Sequence, residues 1–305
     1  MIRDYLATFC VSGAAALVLT PIVRAIAIGL GIVDKPGGRK VHRGNMPTMG
    51  GVAIAVAFFA GTLVAFHAIP GAMDRFSLKY AGFCVGASIV VILGVIDDIK
   101  PLRARPKLFV QVIAAAILVA CGFVVEEFTV PFVGKVSLGF LGVIFTLIWI
   151  IGITNAINLL DGLDGLAAGV SAISSFFIFL SAIDQHEYVV AFLAFALVGA
   201  CAGFLPYNFY PARIFMGNPG SMFLGFALSA ISVVSFQKSK TIITLFVPVI
   251  ALGVPIIDTT LAIVRRLAKK KHIFQADKEH IHHKLLFREE SQRRVVLSLY
   301  FLSTC

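Results

Sequence analysis

Continuous apolar runs of about 20 residues recur along almost the whole chain, a length that lets a helix cross about 30 Å of hydrocarbon. They cover 5–33, 51–69, 78–96, 108–125, 138–157, 163–183, 188–205, 222–236 and 241–264. They predict an all-α fold: a polytopic membrane helical bundle of nine complete transmembrane helices and a partial tenth, forming one integral membrane domain over 1–305. Composition agrees, since 59% of the residues are hydrophobic and 14% charged, with a mean hydropathy of +0.94. Soluble domains hold about 45–50% apolar residues. The first run is too long for a signal-peptide core and no small-residue cleavage site follows it, so it is read as a retained anchor.

Charge sets the orientation. Alternate loops at 34–50, 97–107, 155–164, 206–221 and 265–294 hold 19 of the 26 Lys and Arg residues, ten of them in the last loop. The positive-inside rule then places these loops in the cytoplasm and the N-terminus outside. The net charge of +10 suits anionic headgroups and phosphates at a membrane face, and no nucleic acid is expected as a partner. Cys10, Cys84, Cys121, Cys201 and Cys305 lie in or against apolar runs without metal-like spacing, so they are read as packing residues.

The loaded face also collects the polar residues. Asp97 and Asp98 end the third run. Asn155, Asn158, Asp161 and Asp164 end the fifth, Asn208 to Ser221 follow the seventh, and Asp258 leads toward His280, His282 and His283. Ten of the 16 acidic residues lie at or near this side, beside most of the cations. Acids and bases crowded together at a membrane surface suggest a metal and phosphate site.

Each motif has a plainer reading when taken alone. In VIDDIKPLRARPK, paired carboxylates could hold a divalent cation while Lys100, Arg103, Arg105 and Lys107 hold a phosphate. The pair could equally just end a helix. In NAINLLDGLDG, Asn155, Asn158 and Asp161 recur every three residues, which puts them near one helical face, with Asp164 continuing the series. Polar groups at a membrane boundary are costly unless they bind something, although a polar helix end before a glycine turn would look alike. FMGNPGS opens the eighth run with N–H groups free to meet an anion. Phe215 there is a boundary anchor or a base-stacking ring, and HIHH alone is equally a solvated loop.

Together the motifs GNMPTMGG (44–51), VIDDIK (95–100), NAINLLDGLDGLAAG (155–169), FMGNPGS (215–221), PIIDT (255–259) and DKEHIHHKLL (277–286) closely resemble those of polyprenyl-phosphate N-acetylhexosamine-1-phosphate transferases. HIHH resembles the branch that initiates O-antigen, common-antigen and teichoic-acid linkage units more than the phospho-N-acetylmuramoyl-pentapeptide branch. The resemblance implies a bacterial multi-pass enzyme of the inner or plasma membrane with a cytoplasmic-face site. Its partners would be UDP-N-acetylhexosamine, most simply UDP-GlcNAc, undecaprenyl phosphate and membrane lipids, with a homodimer compatible. Mg²⁺ is the implied cofactor, with Mn²⁺ as a substitute.

Carried over by position, the resemblance implies that Asn158 and Asn218 hold the metal and pyrophosphate, and that Asp97 and Asp98 are the catalytic acidic pair. Lys107 would bind phosphate, with Asn155 and Asp161 beside it as substrate-binding residues. Asp164, Asn208 and Phe215 would contact uridine, while His280, His282 and His283 would close over the donor as catalytic groups. A phosphate monoester with a second pKa near 6 is already mostly dianionic at pH 7, which favours orientation and metal work for the Asp pair over general-base work. Pro248 and Pro255 are expected to break the ninth span and open a lateral groove for the prenyl chain.

The chain departs from the family pattern at Asn218, where an acid is usual, and at Pro219 after it. Only eleven residues follow Arg294, about 16 Å of helix, so truncation at the C-terminus is expected. The alternatives to a transferase are a degenerate member that binds without turnover and a transporter. A transporter should carry its ionisable residues at mid-bilayer rather than at span ends.

Overall fold

The computed structural model describes residues 2–34, 44–68, 72–130, 134–238 and 291–304, with a few positions between 253 and 261. Eight helices form on the first eight apolar runs: α1 (Ile2–Gly29), α2 (Gly50–Ala68), α3 (Ala72–Ile99), α4 (Ala104–Ala120), α5 (Phe140–Leu160), α6 (Leu166–Asp184), α7 (Tyr188–Asn208) and α8 (Gly217–Lys238). A shorter helix, α9 (Gln292–Thr304), follows. The ninth run with its two prolines falls almost wholly outside the described residues. The histidine loop does so entirely.

Six helices among the described residues are long and apolar enough to cross a membrane, and Gly50–Val64 is a shorter apolar helix. The molecule is thus a multi-pass helical membrane protein. Two short antiparallel ribbons qualify the all-α expectation: β1 (Val33–Asp34) with β2 (Met46–Pro47), and β3 (Glu127–Val130) with β4 (Gly134–Ser137). The second ribbon explains why α4 stops at Ala120 although its apolar run continues to Val125. Gly122 turns the chain at φ +90, and Phe123 and Val125 are buried core residues of an irregular segment. Their hydrophobicity serves packing, not helix length.

The core centres on α8. Its membrane-length window is 89% buried, against 22% for α1, so α8 is the hub and α1 a lipid-facing periphery. Phe58 of α2, Phe83 of α3 and Phe223 and Phe226 of α8 fill the space around it, with ring centroids 5.6 Å apart for Phe58 and Phe223. α1 packs on α7 through Ser12, Gly13, Gly199 and Gly203, where small residues let two backbones approach as they do in membrane helix pairs.

α8 begins five residues before its apolar run, and the extra turn, GNPGS, is polar. Gly217 adopts φ +68, a backbone that disfavours any side chain, and a Cβ there would also strike the Asp98 carboxylate. Pro219 needs no N–H partner in a first turn, and the Ser221 hydroxyl donates to the Gly217 carbonyl at 3.1 Å. The hub helix therefore starts inside a polar cluster.

Candidate functional site

The cluster is assembled from helix termini. Asp98, at the end of α3, accepts through Oδ1 from the Asn218 backbone N–H at 3.2 Å and from Asn218 Nδ2 at 2.8 Å. A carboxylate at this place also satisfies an otherwise orphaned N–H of α8 and faces the positive end of its dipole. Asn158, near the end of α5, donates through Nδ2 to Asn218 Oδ1 and to Ser221 Oγ, both at 2.8 Å. Three residues singled out by sequence, Asp98, Asn158 and Asn218, thus form one hydrogen-bonded row on α8.

Asp97 is engaged differently. Its Oδ2 pairs with Lys107 Nζ at 2.8 Å and its Oδ1 accepts the Leu102 N–H at 2.8 Å. Both carboxylate oxygens are committed, so the side chain fixes the α3–α4 turn and aims Lys107. An ammonium has three donors, which leaves Lys107, 23% exposed at its side chain, able to meet a phosphate.

The α2 start is stitched to the same place. The Gly50 and Gly51 N–H groups donate to the Phe215 and Met216 carbonyls at 3.0 and 2.8 Å, and the Phe215 N–H donates to the Pro47 carbonyl at 2.9 Å. Gly51 touches Gly220 so closely that a Cβ would overlap it. The loop that presents Phe215 is therefore held by backbone.

Other candidates are turned to structural partners. Asn155 does not join Asn158: its Nδ2 donates to Gln111 Oε1 and to the Ile151 carbonyl, each at 2.8 Å. Residues three apart on a helix are offset by about 60°, enough for one to meet α4 and the other α8. Asn208 is 2% exposed and spans two loops, accepting the Gly165 N–H at 3.1 Å and donating to the Ile214 carbonyl at 3.0 Å. Asp164 Oδ2 accepts the Ala212 N–H at 2.9 Å.

Asp161 is the electrostatic exception, because no partner for its carboxylate is found among the described residues. Desolvation pushes its pKa up to about 8, and the charges of Asp98 and Asp164 push it the same way. Asp98 Oδ2 is also buried without a hydrogen bond; the Thr48 hydroxyl lies close enough to act on its charge but outside bonding geometry. Sequence reasoning passes over Gln111 and Thr48. Gln111 is detectable as a lone amide in the 108–125 run.

A hard cation fits these oxygens. Magnesium is held by one or two carboxylates plus substrate phosphates, and the unpartnered Asp98 Oδ2, whose Oδ1 already sits on Asn218, offers one such oxygen. Among the described residues no group of three His, Cys, Asp or Glu could hold a metal unaided, so the shell would need phosphate oxygens to complete it.

Residues 80–236 match the family described as Glycosyl transferase family 4, a stretch running from α3 to α8 that contains this row of site residues. The chain belongs to that family. It is 43% identical over 303 residues, 99% of this chain and 82% of the relative, to a Bacillus subtilis (strain 168) protein named probable undecaprenyl-phosphate N-acetylglucosaminyl 1-phosphate transferase. It is 34% identical over 303 residues to a Mycobacterium tuberculosis decaprenyl-phosphate N-acetylglucosaminephosphotransferase, covering 91% of this chain and 74% of that one. A phospho-N-acetylmuramoyl-pentapeptide-transferase of Desulforudis audaxviator is 35% identical over 314 residues, 93% of this chain and 89% of the relative. In this family 4 glycosyl transferase, then, the polar ends of α3, α5 and α8 meet in a bundle built for a membrane.

Proposed function

We propose that the protein transfers N-acetylhexosamine-1-phosphate, most simply GlcNAc-1-phosphate, from a UDP-sugar to undecaprenyl phosphate in a bacterial membrane. The products are a lipid-linked pyrophosphoryl sugar and UMP. An acceptor phosphate oxygen bonds to the donor's β-phosphorus, and the bond from that phosphorus to the UMP oxygen breaks. The site would open on the cytoplasmic face, where the positive-inside charge gathers, with the N-terminus outside.

The observation that carries this reading is the Asp98–Asn218–Asn158 row at the start of α8, flanked by the Asp97–Lys107 pair. Phosphoryl transfer demands mainly that two anions be brought together and their charge neutralised. Lys107 meets one phosphate; Asp97 keeps it aimed. Asp98, Asp161 and the Asn218 amide oxygen would hold Mg²⁺, which supplies neutralisation of the pyrophosphate charge. The α5–α6 turn and the Phe215 loop lie next to this row and would take the uridine.

A binding-only protein is the second reading, favoured by Asn218, whose amide brings no negative charge to a cation. Purified protein given Mg²⁺, undecaprenyl phosphate and a panel of UDP-sugars separates the two. The transferase releases UMP and moves sugar into the solvent-extractable fraction. A protein that binds UMP yet releases none is the binding-only form.

A further inference from the structure

Tyr300 of α9 lies 135 residues along the chain from Gly165, yet its hydroxyl donates to the Gly165 carbonyl at 2.6 Å. The Gly165 N–H donates to Asn208 Oδ1, and Asn208 Nδ2 donates to the Ile214 carbonyl, the residue before Phe215. Asp164 ties the same two loops again through the Ala212 N–H. α9, the α5–α6 turn and the 209–214 loop are therefore linked in series by hydrogen bonds.

The contact at Tyr300 is built rather than incidental. Its ring lies against Gly169, where a Cβ would overlap it. Val295, Val296 and Leu299 of α9 are buried on Leu160, Leu163, Leu166 and Val170, an i, i+1, i+4 stripe on the helix's inner face. Burial raises the phenol above its ordinary value, so the hydroxyl stays protonated and remains a donor. Gly165, at φ +78, is a residue whose backbone has other conformations open to it, and a donor on its carbonyl selects one.

We propose that Tyr300 is a positioning residue for the nucleotide end of the donor, acting through Gly165 and Asn208 on the two loops that carry Asp164 and Phe215. The proposal rests on the transferase reading for the identity of the nucleotide. The Tyr300→Phe substitution keeps the ring on Gly169 and removes the donor. It should raise KM for UDP-GlcNAc and weaken UMP binding by about fivefold, the order of one lost hydrogen bond. Neither kcat nor KM for undecaprenyl phosphate should change. Hydrogen–deuterium exchange should quicken at 162–166 and 209–215 and stay constant in α2 and α3. Gly169→Ala, which displaces the ring, should give the same split by a second route.

Faster exchange with unchanged KM and UMP affinity would make Tyr300 merely structural and overturn the proposal. An equal loss toward both substrates, or unchanged exchange, would overturn it as well. Unsubstituted protein that binds UMP but turns over no UDP-sugar contradicts the transferase reading alone, and the variant's UMP affinity then still decides the role of Tyr300. Unsubstituted protein without UMP affinity overturns both.

Discussion

The α3–α4 turn and the α5–α6 turn each bring carboxylates to the same end of the bundle, and they treat the charge of those carboxylates in opposite ways. In the first, Asp97 is 6% exposed and fully answered by Lys107 and the Leu102 N–H. In the second, Asp161 finds no partner among the described residues, and its neighbours Asp98 and Asp164 repel its charge. Asp97, answered within its own turn, is scaffold that aims Lys107. Asp161, left unanswered, has room for something that arrives, and under the proposed function a cation bearing substrate phosphates would answer it.

The contrast can be broken at either turn or at the residue between them. The largest effect is expected at Asp98, which joins the two turns through Asn218. Asp98→Asn should lower turnover by at least about 10²-fold, as loss of a catalytic group does, while the detergent-solubilised protein still folds. Near-normal turnover would return Asp98 to a helix-capping role.

At the closed turn, Lys107→Gln strands Asp97 without its counter-charge. Loss of about 2 kcal/mol of stability is expected, below the full cost of breaking a buried pair because Lys107 is partly exposed. The double variant Lys107→Gln with Asp97→Asn should recover part of that loss in thermal unfolding. If the double variant is as unstable as the sum of the singles, the two side chains do not act as a pair.

Asn218 tests how much charge the open side wants. Asn218→Asp should lower the Mg²⁺ concentration for half-maximal activity by about tenfold, the order seen when a metal's surroundings are altered. The same substitution with Pro219→Ala checks whether the proline's restriction of Asn218 matters. An unchanged Mg²⁺ dependence in both variants removes Asn218 from the metal's surroundings.

The smallest effect is on pH, because Asp161 is only half-buried and solvent screens its charge. Desolvation pushes the Asp161 pKa up from 3.8 to about 8, so between these values the folded state tends to hold a proton that the unfolded chain has lost. Its ionisation therefore weakens folding progressively as pH rises from about 4 to about 8, with no penalty below that window. The melting temperature of Mg²⁺-free protein should fall across that range more steeply than that of Asp161→Asn, and Mg²⁺ should flatten the difference. Equal slopes would show that Asp161 is solvated in the folded state.

Apolar length predicts α1 to α8 because membrane helices satisfy their own backbone, but it overruns at Val125, where hydrophobicity serves packing. The row Asp98–Asn158–Asn218 is legible in the amino-acid sequence because polar groups at span ends are costly unless they bind something. The split of Asn155 from Asn158 is not, since spacing gives a face and not the neighbour that covers it. Tyr300 carries no sequence signal at all: an aromatic in a short amphipathic segment is ordinary, and only the fold sets its hydroxyl on the Gly165 carbonyl.

The central claim is transfer of a sugar together with its phosphate, and the fate of one phosphorus atom tests it most directly. UDP-GlcNAc carrying label in its β-phosphate, incubated with the purified protein, Mg²⁺ and undecaprenyl phosphate, should pass that label with the sugar into the lipid fraction and leave unlabelled UMP in water. Label remaining in water as UDP while sugar alone enters the lipid, or no label in the lipid under any Mg²⁺ concentration, would contradict the account.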